Sequence, residues 1–256
     1  MFEKLKTALW FAKRPCFFAQ ACSLALRKFM PDRDGAEERR RADEWAAARA
    51  VPVAEALRVV GIEGEPTTLD PAIFEEGEER AHRSAVAMGG PGDLSLLHAV
   101  TALTGARTAV ETGVAYGWSS LAILSAMAKN GGGRLLSVDM PYPKMGNEAF
   151  VGIVVPERLL TGWTLVREPD RNGLRRAIRL AGEPLDLAHY DSDKSYYGRQ
   201  FAFPLIWDAL RPGGVFISDD IQDNLAFAEF VEKKGVHFAV TESGGKYVGI
   251  CVKPRG

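Results

Sequence analysis

Residues 109–120, AVETGVAYGWSS, run from an apolar strand through a glycine-rich turn into the start of a helix. The turn spans Gly113 to Gly117, and Ser119 and Ser120 follow it. Glycine lets a backbone approach a ligand closely, and the free N–H groups at a helix start can hold a carboxylate or a phosphate. The stretch therefore predicts a ligand-binding turn at the carboxyl end of a central strand.

The spacing of the glycines limits which ligand this turn can bind. A dinucleotide-binding turn reads G-x-G-x-x-G, whereas this one reads GVAYGWS and has no second glycine two positions after Gly113. A pyrophosphate would meet side chains there, which disfavours NAD and FAD. The sequence GK[ST] of a Walker loop is also missing from the turn.

Short apolar runs alternate with helical segments from residue 108 onward, and this alternation predicts the fold. We expect strands at 108–111, 134–139, 164–168, 185–190, 215–218, 237–242 and 247–253. The helices expected between them lie at 119–128, 149–160, 173–181, 198–210 and 224–234. Such alternation is typical of βαβ units with a buried parallel sheet.

The end of the chain departs from this parallel pattern. Only SGGK, residues 243–246, separates the last two predicted strands, so they must be antiparallel. The expected fold class is α/β: a Rossmann-like three-layer sandwich with a seven-stranded, mostly parallel sheet and an antiparallel C-terminal hairpin. An N-terminal helical extension precedes it.

The first 83 residues differ in character from the rest of the chain. We expect a helical extension over residues 1–83 and a ligand-binding domain over residues 84–256. Within the extension, residues 1–30 are basic and apolar and are expected to form two short helices broken at Pro15. Three roles stay open for this segment: packing on the domain, formation of a homo-oligomer, or peripheral contact with a membrane.

Composition narrows the class of protein and its partners. About 46% of the residues are hydrophobic, 25% are charged and the net charge is −1, which is typical of an ordinary globular protein. A nearly neutral chain argues against a nucleic-acid partner. The three cysteines lack zinc-ligand spacing, which favours free thiols in a reducing cytoplasm. We therefore expect a cytoplasmic protein, with membrane association as the alternative set by residues 1–30.

An acidic residue, Asp139, ends the second predicted strand in LLSVDM. It comes one βαβ unit after the glycine turn. A carboxylate in this place can accept hydrogen bonds from both hydroxyls of a ribose. The alternative is a strand-end acid with no ligand.

Further acids follow the fourth and fifth predicted strands, in HYDSDKSYYG and SDDI. The two strands are expected to be neighbours, so Asp191 or Asp193, together with Lys194, should converge with Asp219 and Asp220. Carboxylates so close repel one another unless a cation lies between them, and hard oxygen ligands suit Mg²⁺. The alternative is that Asp219 and Asp220 cap the helix that follows them.

Taken together, four motifs resemble those of class I S-adenosylmethionine-dependent methyltransferases. They are VETGVAYGWSS, LLSVDM, LDLAHYDSDKSYYG and LRPGGVFISDDI, and the likeness covers about residues 84–253. It is closest to small-molecule O-methyltransferases of the catechol type and of the bacterial family 24 type, which includes macrocin-like sugar methyltransferases. The resemblance implies S-adenosylmethionine as cofactor, a divalent metal, and a small hydroxylated acceptor such as a sugar, a glycolipid precursor or a natural-product intermediate.

The resemblance also implies a cofactor site around the glycine turn. The catechol-type pattern E-x-G-x-x-x-G-x-S fits here, and it implies that Ser119 and the turn backbone hold the methionine end, while Asp139 binds the ribose. Glu111 would attract the methionine ammonium or order the turn amides. The implied cofactor contacts are Met88, Gly89, Glu111, Gly113, Tyr116, Gly117, Ser119, Asp139, Asp170 and Asp191.

The catalytic residues are implied by the motifs after strands four and five. Metal-dependent relatives carry D-x-x-K and D-[ND] there, which implies Asp191, Asp219 and Asp220 as metal ligands. Asp191 and Lys194 are the implied catalytic residues, with Lys194 as the base.

One departure from the relatives leaves the base role open. Many bacterial relatives have D-x-D-H-S-Y, whereas this chain reads DSDKSY, with Lys194 in the histidine position. Three nearby carboxylates would also favour a protonated lysine. A cofactor-binding protein without catalysis is therefore the first alternative function, and a nicotinamide oxidoreductase is the second.

Overall fold

The computed structural model describes residues 9–141 and 146–255, and it confirms the predicted α/β sandwich. One seven-stranded sheet has the order β3-β2-β1-β4-β5-β7-β6. The first five strands pair in parallel, and β7 pairs antiparallel with both β5 and β6. The strands are β1 Thr108–Thr112, β2 Arg134–Val138, β3 Trp163–Val166, β4 Leu185–Tyr190, β5 Leu210–Ser218, β6 Phe238–Ser243 and β7 Lys246–Val252.

Nine α-helices lie wholly within the described residues. They are α1 Phe18–Leu26, α2 Ala36–Ala47, α3 Val53–Val59, α4 Pro71–Ala81, α5 Leu94–Thr104, α6 Trp118–Lys129, α7 Asp170–Ala181, α8 Tyr196–Ala209 and α9 Ala226–Lys234. In the part of the chain that the structure describes, none of the helices is long and apolar enough to cross a membrane.

Helices cover both faces of the sheet, because successive side chains of a strand point to opposite faces. Ala109 of β1 packs in one core cluster with α5 and α6, and Val110 packs in the other with α7, α8 and α9. The N-terminal helices join the same clusters, since Ala46 of α2 lies in the second and Leu57 of α3 in the first. The division of the chain at residue 83 stays a prediction.

The N-terminal segment breaks at Pro15, as its sequence predicts. Residues 9–12 are helical, a 3₁₀ turn occupies Pro15–Phe17, and α1 follows directly. A second 3₁₀ turn at Arg27–Phe29 ends the segment. Residues 1–8 of the predicted amphipathic segment lie outside the described residues.

The predicted helix over residues 149–160 is wrong. Turns occupy residues 148–154, and a 3₁₀ helix covers only Glu157–Gly162. Gly152 has a φ of 76°, a left-handed conformation that ends helical repetition, and Pro156 cannot donate the next helical hydrogen bond.

Strand β5 begins five residues earlier than its sequence predicts. The stretch LRPGG has the composition of a turn, yet Leu210 pairs with Leu185 before the register shifts and Val215 pairs with Leu187. A bulge therefore absorbs the proline and the glycines inside the strand.

Candidate active site

A cavity of about 630 Å³ opens at the carboxyl ends of the parallel strands. In a sheet of this type the carboxyl ends next to the point where strand order reverses are where ligands bind, and β1 and β4 flank that point here. The lining includes Met88, Gly89, Gly113, Val114, Ser119, Asp139, Asp170, His189, Asp191, Lys194 and Asp219. The structure thus brings together most of the residues that the sequence singles out, from six separate segments.

Three of the predicted cofactor contacts do not line this cavity. They are Glu111, Tyr116 and Gly117. Asp220, a predicted metal ligand, also lies behind the lining. Each of these residues has other contacts that explain its position.

Gly113 brings the glycine turn into direct contact with the end of β4. Its φ is +79°, and a Cβ atom at this position would lie 2.1 Å from the carbonyl oxygen of Asp191. No side chain fits there, because a real Cβ never approaches an oxygen so closely. The turn and Asp191 are therefore held at a fixed separation.

Asp139 orders the turn from the neighbouring strand. Its Oδ1 accepts a hydrogen bond of 2.9 Å from the backbone N–H of Val114, and its Oδ2 forms an ion pair with Arg167. The predicted ribose contact stays a prediction, and Arg167 is a neighbour that sequence reasoning missed. Its position just after β3 is the only signal that could have pointed to it.

Glu111 lies beneath the turn and is fully buried. Its carboxylate accepts hydrogen bonds from the hydroxyls of Ser119 at 2.9 Å, of Ser137 at 2.5 Å, and of Ser120. Glu111 does not line the cavity, and three serine hydroxyls donate to its oxygens, so its contact with the cofactor stays a prediction. Glu111 ties β1, β2 and α6 together under the cavity.

Tyr116 supports the cavity from behind by holding the segment before α5. Its hydroxyl donates to the carbonyl of Val86 at 2.8 Å and accepts from the backbone N–H of Met88 at 3.3 Å. These two bonds keep Met88 and Gly89 at the cavity wall.

Gly117 faces away from the cavity, since a Cβ there would lie 2.9 Å from the Cα of Gly152. The predictions that Tyr116 and Gly117 contact the cofactor directly are therefore not supported.

Asp170 begins α7 at the cavity wall. Its side chain accepts a hydrogen bond of 2.5 Å from the Ser192 hydroxyl. Burial raises the pKa of Asp170 to about 6, although the bond from Ser192 opposes this rise. At neutral pH Asp170 is thus mostly a carboxylate, which accepts hydrogen bonds at this wall.

A lysine lies among the acids that follow β4 and β5. Lys194 Nζ is 3.2 Å from Asp191 Oδ1 and forms a close ion pair with Asp220 Oδ2. Lys246, in the C-terminal hairpin, lies 3.2 Å from the other oxygen of Asp220. The sequence predicts the convergence of Asp191, Lys194 and Asp220, but it gives no sign of Lys246.

His189 supplies a third positive charge inside β4. Its Nε2 is 3.1 Å from Asp219 Oδ1, and its Nδ1 is 3.9 Å from Glu111 Oε2. Burial disfavours a charge here, but the attraction of Asp219 raises the pKa of His189 to about 10. His189 is therefore a buried cation at neutral pH. Sequence patterns do not single it out, because a histidine within a strand is usually a satisfied interior residue.

The loop after β5 is held in a strained conformation. Asp220 has a φ of +51°, which is uncommon for a residue with a side chain. The fully buried guanidinium of Arg199 donates to the backbone carbonyls of Asp219 at 3.1 Å and of Asp220 at 2.7 Å. Such strain persists where the surroundings fix the conformation, and it is concentrated at functional sites.

The pKa values separate the two predicted catalytic residues. Burial opposes the charge of Lys194, but Asp191 and Asp220 together raise its pKa above the ordinary value. Burial and the charge of Asp219 raise the pKa of Asp191 to about 6. At neutral pH Lys194 is thus a cation without a free electron pair, which argues against its predicted role as base, and Asp191 is a carboxylate of increased basicity.

The predicted magnesium site does not fit these side chains. Within residues 9–141 and 146–255, no group of three or more His, Cys, Asp or Glu side chains is arranged to hold a metal ion. Lys194 bridges Asp191 and Asp220, and His189 neutralises Asp219. The cations that the carboxylates require are supplied by the chain itself.

Comparison with known proteins identifies the central segment. Residues 110–221 match a family model described as a methyltransferase domain. This match contains the glycine turn and both acid-bearing strand ends. No curated protein matches the chain significantly.

Solved structures with the same fold include three that contain bound SAM or SAH. An O-methyltransferase from Bacillus cereus in complex with SAH is 18% identical, with a TM-score of 0.58 over 83% of this chain and 100% of that one. TomG, an O-methyltransferase from Streptomyces achromogenes involved in tomaymycin synthesis, in complex with SAM, is 18% identical, with a TM-score of 0.52 over 83% and 98%. The SAH-bound methyltransferase PaMTH1 from Podospora anserina is 14% identical, with a TM-score of 0.55 over 88% and 98%.

At these identities the solved structures establish the fold. Together with the family match, they confirm the resemblance to class I methyltransferases for this domain.

Proposed function

We propose that this chain, in which residues 110–221 match a methyltransferase domain model, is an S-adenosylmethionine-dependent O-methyltransferase of a small hydroxylated acceptor. The observation that carries the proposal is that one and the same cavity is lined by the glycine turn, Asp139, Asp191 and Lys194. A methyl donor and a hydroxyl acceptor must lie side by side for transfer, and one cavity lined by both sets of residues meets that need.

The cofactor half of the site is assigned to the turn and its neighbours. In this proposal the turn at Gly113 and the start of α6 at Ser119 face the amino-acid end, and Asp139 faces the ribose. Met88 and Gly89 complete the wall beside the amino-acid end, and Asp170 faces the adenine side. S-adenosylmethionine, when bound, supplies a methyl group activated for displacement by an oxygen nucleophile.

The acceptor half is assigned to the residues that follow β4. Asp191 accepts the proton of the acceptor hydroxyl, because its carboxylate lines the cavity and its pKa is raised to about 6 by burial and by the charge of Asp219. Lys194 stays protonated and stabilises the negative charge that develops on the acceptor oxygen. His189 holds Asp219 in place by its ion pair and keeps that carboxylate neutralised.

Binding of S-adenosylhomocysteine tests this proposal directly. In calorimetric titrations, S-adenosylhomocysteine should bind with a dissociation constant at or below about 100 µM, and NAD should give no heat above that of buffer. Heat with NAD alone would favour the oxidoreductase. Absence of heat with S-adenosylhomocysteine would contradict the proposal.

The protein should not need a divalent ion, since Lys194, Lys246 and His189 neutralise the acid cluster. We expect no saturable Mn²⁺ binding by electron paramagnetic resonance at up to about 1 mM metal. Methyl transfer should be unchanged in excess EDTA. A Mn²⁺ site that is present in the wild type and lost in Asp219→Ala would show that the sequence-based prediction of a metal is right.

A further inference from the structure

The N-terminal cap, residues 9–30, carries an unusual share of the exposed apolar surface. Nine large apolar side chains are exposed within the described residues, and six of them lie in this short segment. These six are Leu9, Phe18, Leu24, Leu26, Phe29 and Met30. Phe29 is 88% exposed. Clusters of exposed apolar residues mark surfaces that contact a partner or a membrane.

The charge of the cap has a single sign. Between residues 9 and 30 the sequence contains four basic residues and no acidic one. Arg27 is engaged with the domain, but Lys13 and Lys28 are exposed, and Arg14 is half-buried over the ring of Trp10. An apolar segment whose only charged residues are basic is complementary to an anionic lipid surface. Its apolar side chains can contact the acyl chains of the lipids, and its lysines can contact the anionic headgroups.

The cap is attached to the active site through a salt bridge. Arg27 donates to Asp193 Oδ2 at 2.5 Å and to the Ser195 hydroxyl at 2.7 Å. Asp193 and Ser195 flank Lys194 in the loop that follows β4. The cap is thus held directly over the proposed acceptor side of the cavity.

The cap also supplies apolar wall to the cavity. The apolar side chains of Phe11 and Leu24 line it beside the polar amide of Gln20, and Leu24 is at the same time 41% exposed to the outside. Apolar surface therefore continues from the outer face of the cap to the interior of the cavity. A molecule with an apolar chain and a hydroxylated head could contact both regions.

We propose that the N-terminal cap seats on an anionic membrane surface and that the acceptor is an amphipathic compound with a hydroxylated head and an apolar chain. The second half of this proposal rests on the proposed methyl transfer, whereas the first half does not. A second copy of this chain is the competing occupant of the cap, and the experiment distinguishes the two.

Vesicle flotation tests the membrane contact. The full chain should float with vesicles of phosphatidylcholine containing about one third phosphatidylglycerol and bind phosphatidylcholine alone at least about tenfold more weakly. The triple variant Phe18→Ser, Leu26→Ser, Phe29→Ser should lose at least about tenfold in binding to the anionic vesicles. None of these three residues lines the cavity.

A matched control removes three exposed apolar side chains elsewhere. The variant Val59→Ser, Leu160→Ser, Leu180→Ser should bind the anionic vesicles as the wild type does, because these residues lie outside the cap. Equal loss in both triple variants would overturn the proposal. A wild-type dimer in analytical ultracentrifugation that dissociates in the cap variant, together with no vesicle binding, would also overturn it in favour of a second copy.

The acceptor class is tested with alkyl glucosides below their critical micelle concentrations. The wild type loaded with S-adenosylhomocysteine should bind them more tightly as the chain lengthens, and Leu24→Ser should lose this dependence. Affinity independent of chain length would overturn the amphipathic acceptor. Failure of the proposed function is distinct, because it shows as absent S-adenosylhomocysteine binding in a wild type that still floats with vesicles.

Discussion

Replacement of Asp191 by asparagine should lower turnover by about 100- to 10,000-fold, the range that a general base contributes. Asparagine is close in shape but cannot accept the proton of the acceptor hydroxyl. Turnover is measured by transfer of a labelled methyl group to an acceptor found by screening hydroxylated compounds. Binding of S-adenosylhomocysteine should stay within about threefold of the wild type, because the turn at Gly113 contacts the Asp191 backbone and not its carboxylate.

The pH dependence of kcat/KM should also show that the Asp191 carboxylate is the base. The pKa of Asp191 is raised to about 6, and only the deprotonated form accepts a proton. The wild-type kcat/KM should therefore rise about tenfold per pH unit below that value and level off above it. The residual activity of Asp191→Asn should lack this step.

A matched change at an exposed acid serves as the control. Asp208 is exposed on α8, and Asp208→Asn should keep wild-type turnover and the wild-type pH profile. Wild-type turnover in Asp191→Asn would exclude Asp191 as the base. A protein that binds S-adenosylhomocysteine but transfers no methyl group to any screened acceptor would instead be a cofactor-binding protein without catalysis.

Removal of the Glu111 carboxylate should have the largest effect on stability. In Glu111→Ala, the hydroxyls of Ser119, Ser120 and Ser137 lose their acceptor, and His189 loses a neighbouring negative charge. Leaving buried polar and charged groups unpaired costs about 3–5 kcal/mol. We expect a loss of that size in the free energy of unfolding, measured by urea denaturation.

Two further variants make this measurement specific. Glu111→Gln keeps acceptor oxygen and should lose less than Glu111→Ala. Glu63 is exposed in the connector before α4, and Glu63→Ala should change the free energy of unfolding by no more than about 0.5 kcal/mol. Equal stability of Glu111→Ala and Glu63→Ala would refute the structural role assigned to Glu111.

The sequence predicts the sheet well because its signals are local. Apolar runs of strand length, separated by helical segments, place β1 to β4 to within one or two residues of their observed ends. The short SGGK connection identifies the antiparallel hairpin of β6 and β7 because a loop that short permits no crossover. The cap of α5 is local too, because the side chain of Asp93, directly before the helix, accepts from the backbone N–H of Leu96 at 2.9 Å.

The features that the sequence could not predict depend on distant contacts. Lys246 meets Asp220 across the hairpin, and Arg27 meets Asp193 over 166 positions of chain. No short sequence motif predicts ion pairs between residues so far apart in the chain. The metal prediction rests on the acids alone, since three converging acids indicate a cation but do not say that lysines and a histidine lie beside them.

Glu111 illustrates the same limit within a recognised motif. The stretch AVETGVAYGWSS contains both the acid and two of its partners, Ser119 and Ser120, yet it gives no indication that they bond to each other. The third partner, Ser137, lies in β2 and is linked in turn to the Trp163 indole, which donates to it at 2.6 Å. A residue within a recognised motif can thus stabilise the fold beneath a site and need not contact the ligand.

The N-terminal cap and the domain contribute different residues to the cavity, which has a consequence for protein engineering. The residues assigned to the donor and to proton transfer lie in the domain, at strand ends, at the starts of α6 and α7, and before α5. Of the described residues of the N-terminal cap, Phe11, Gln20 and Leu24 line the wall. Libraries confined to these three positions, or exchange of the whole cap between relatives, would recombine acceptor preference while leaving the chemical step intact. Arg27 would have to be retained in every such chimera, because its guanidinium donates to Asp193 and Ser195 of the domain.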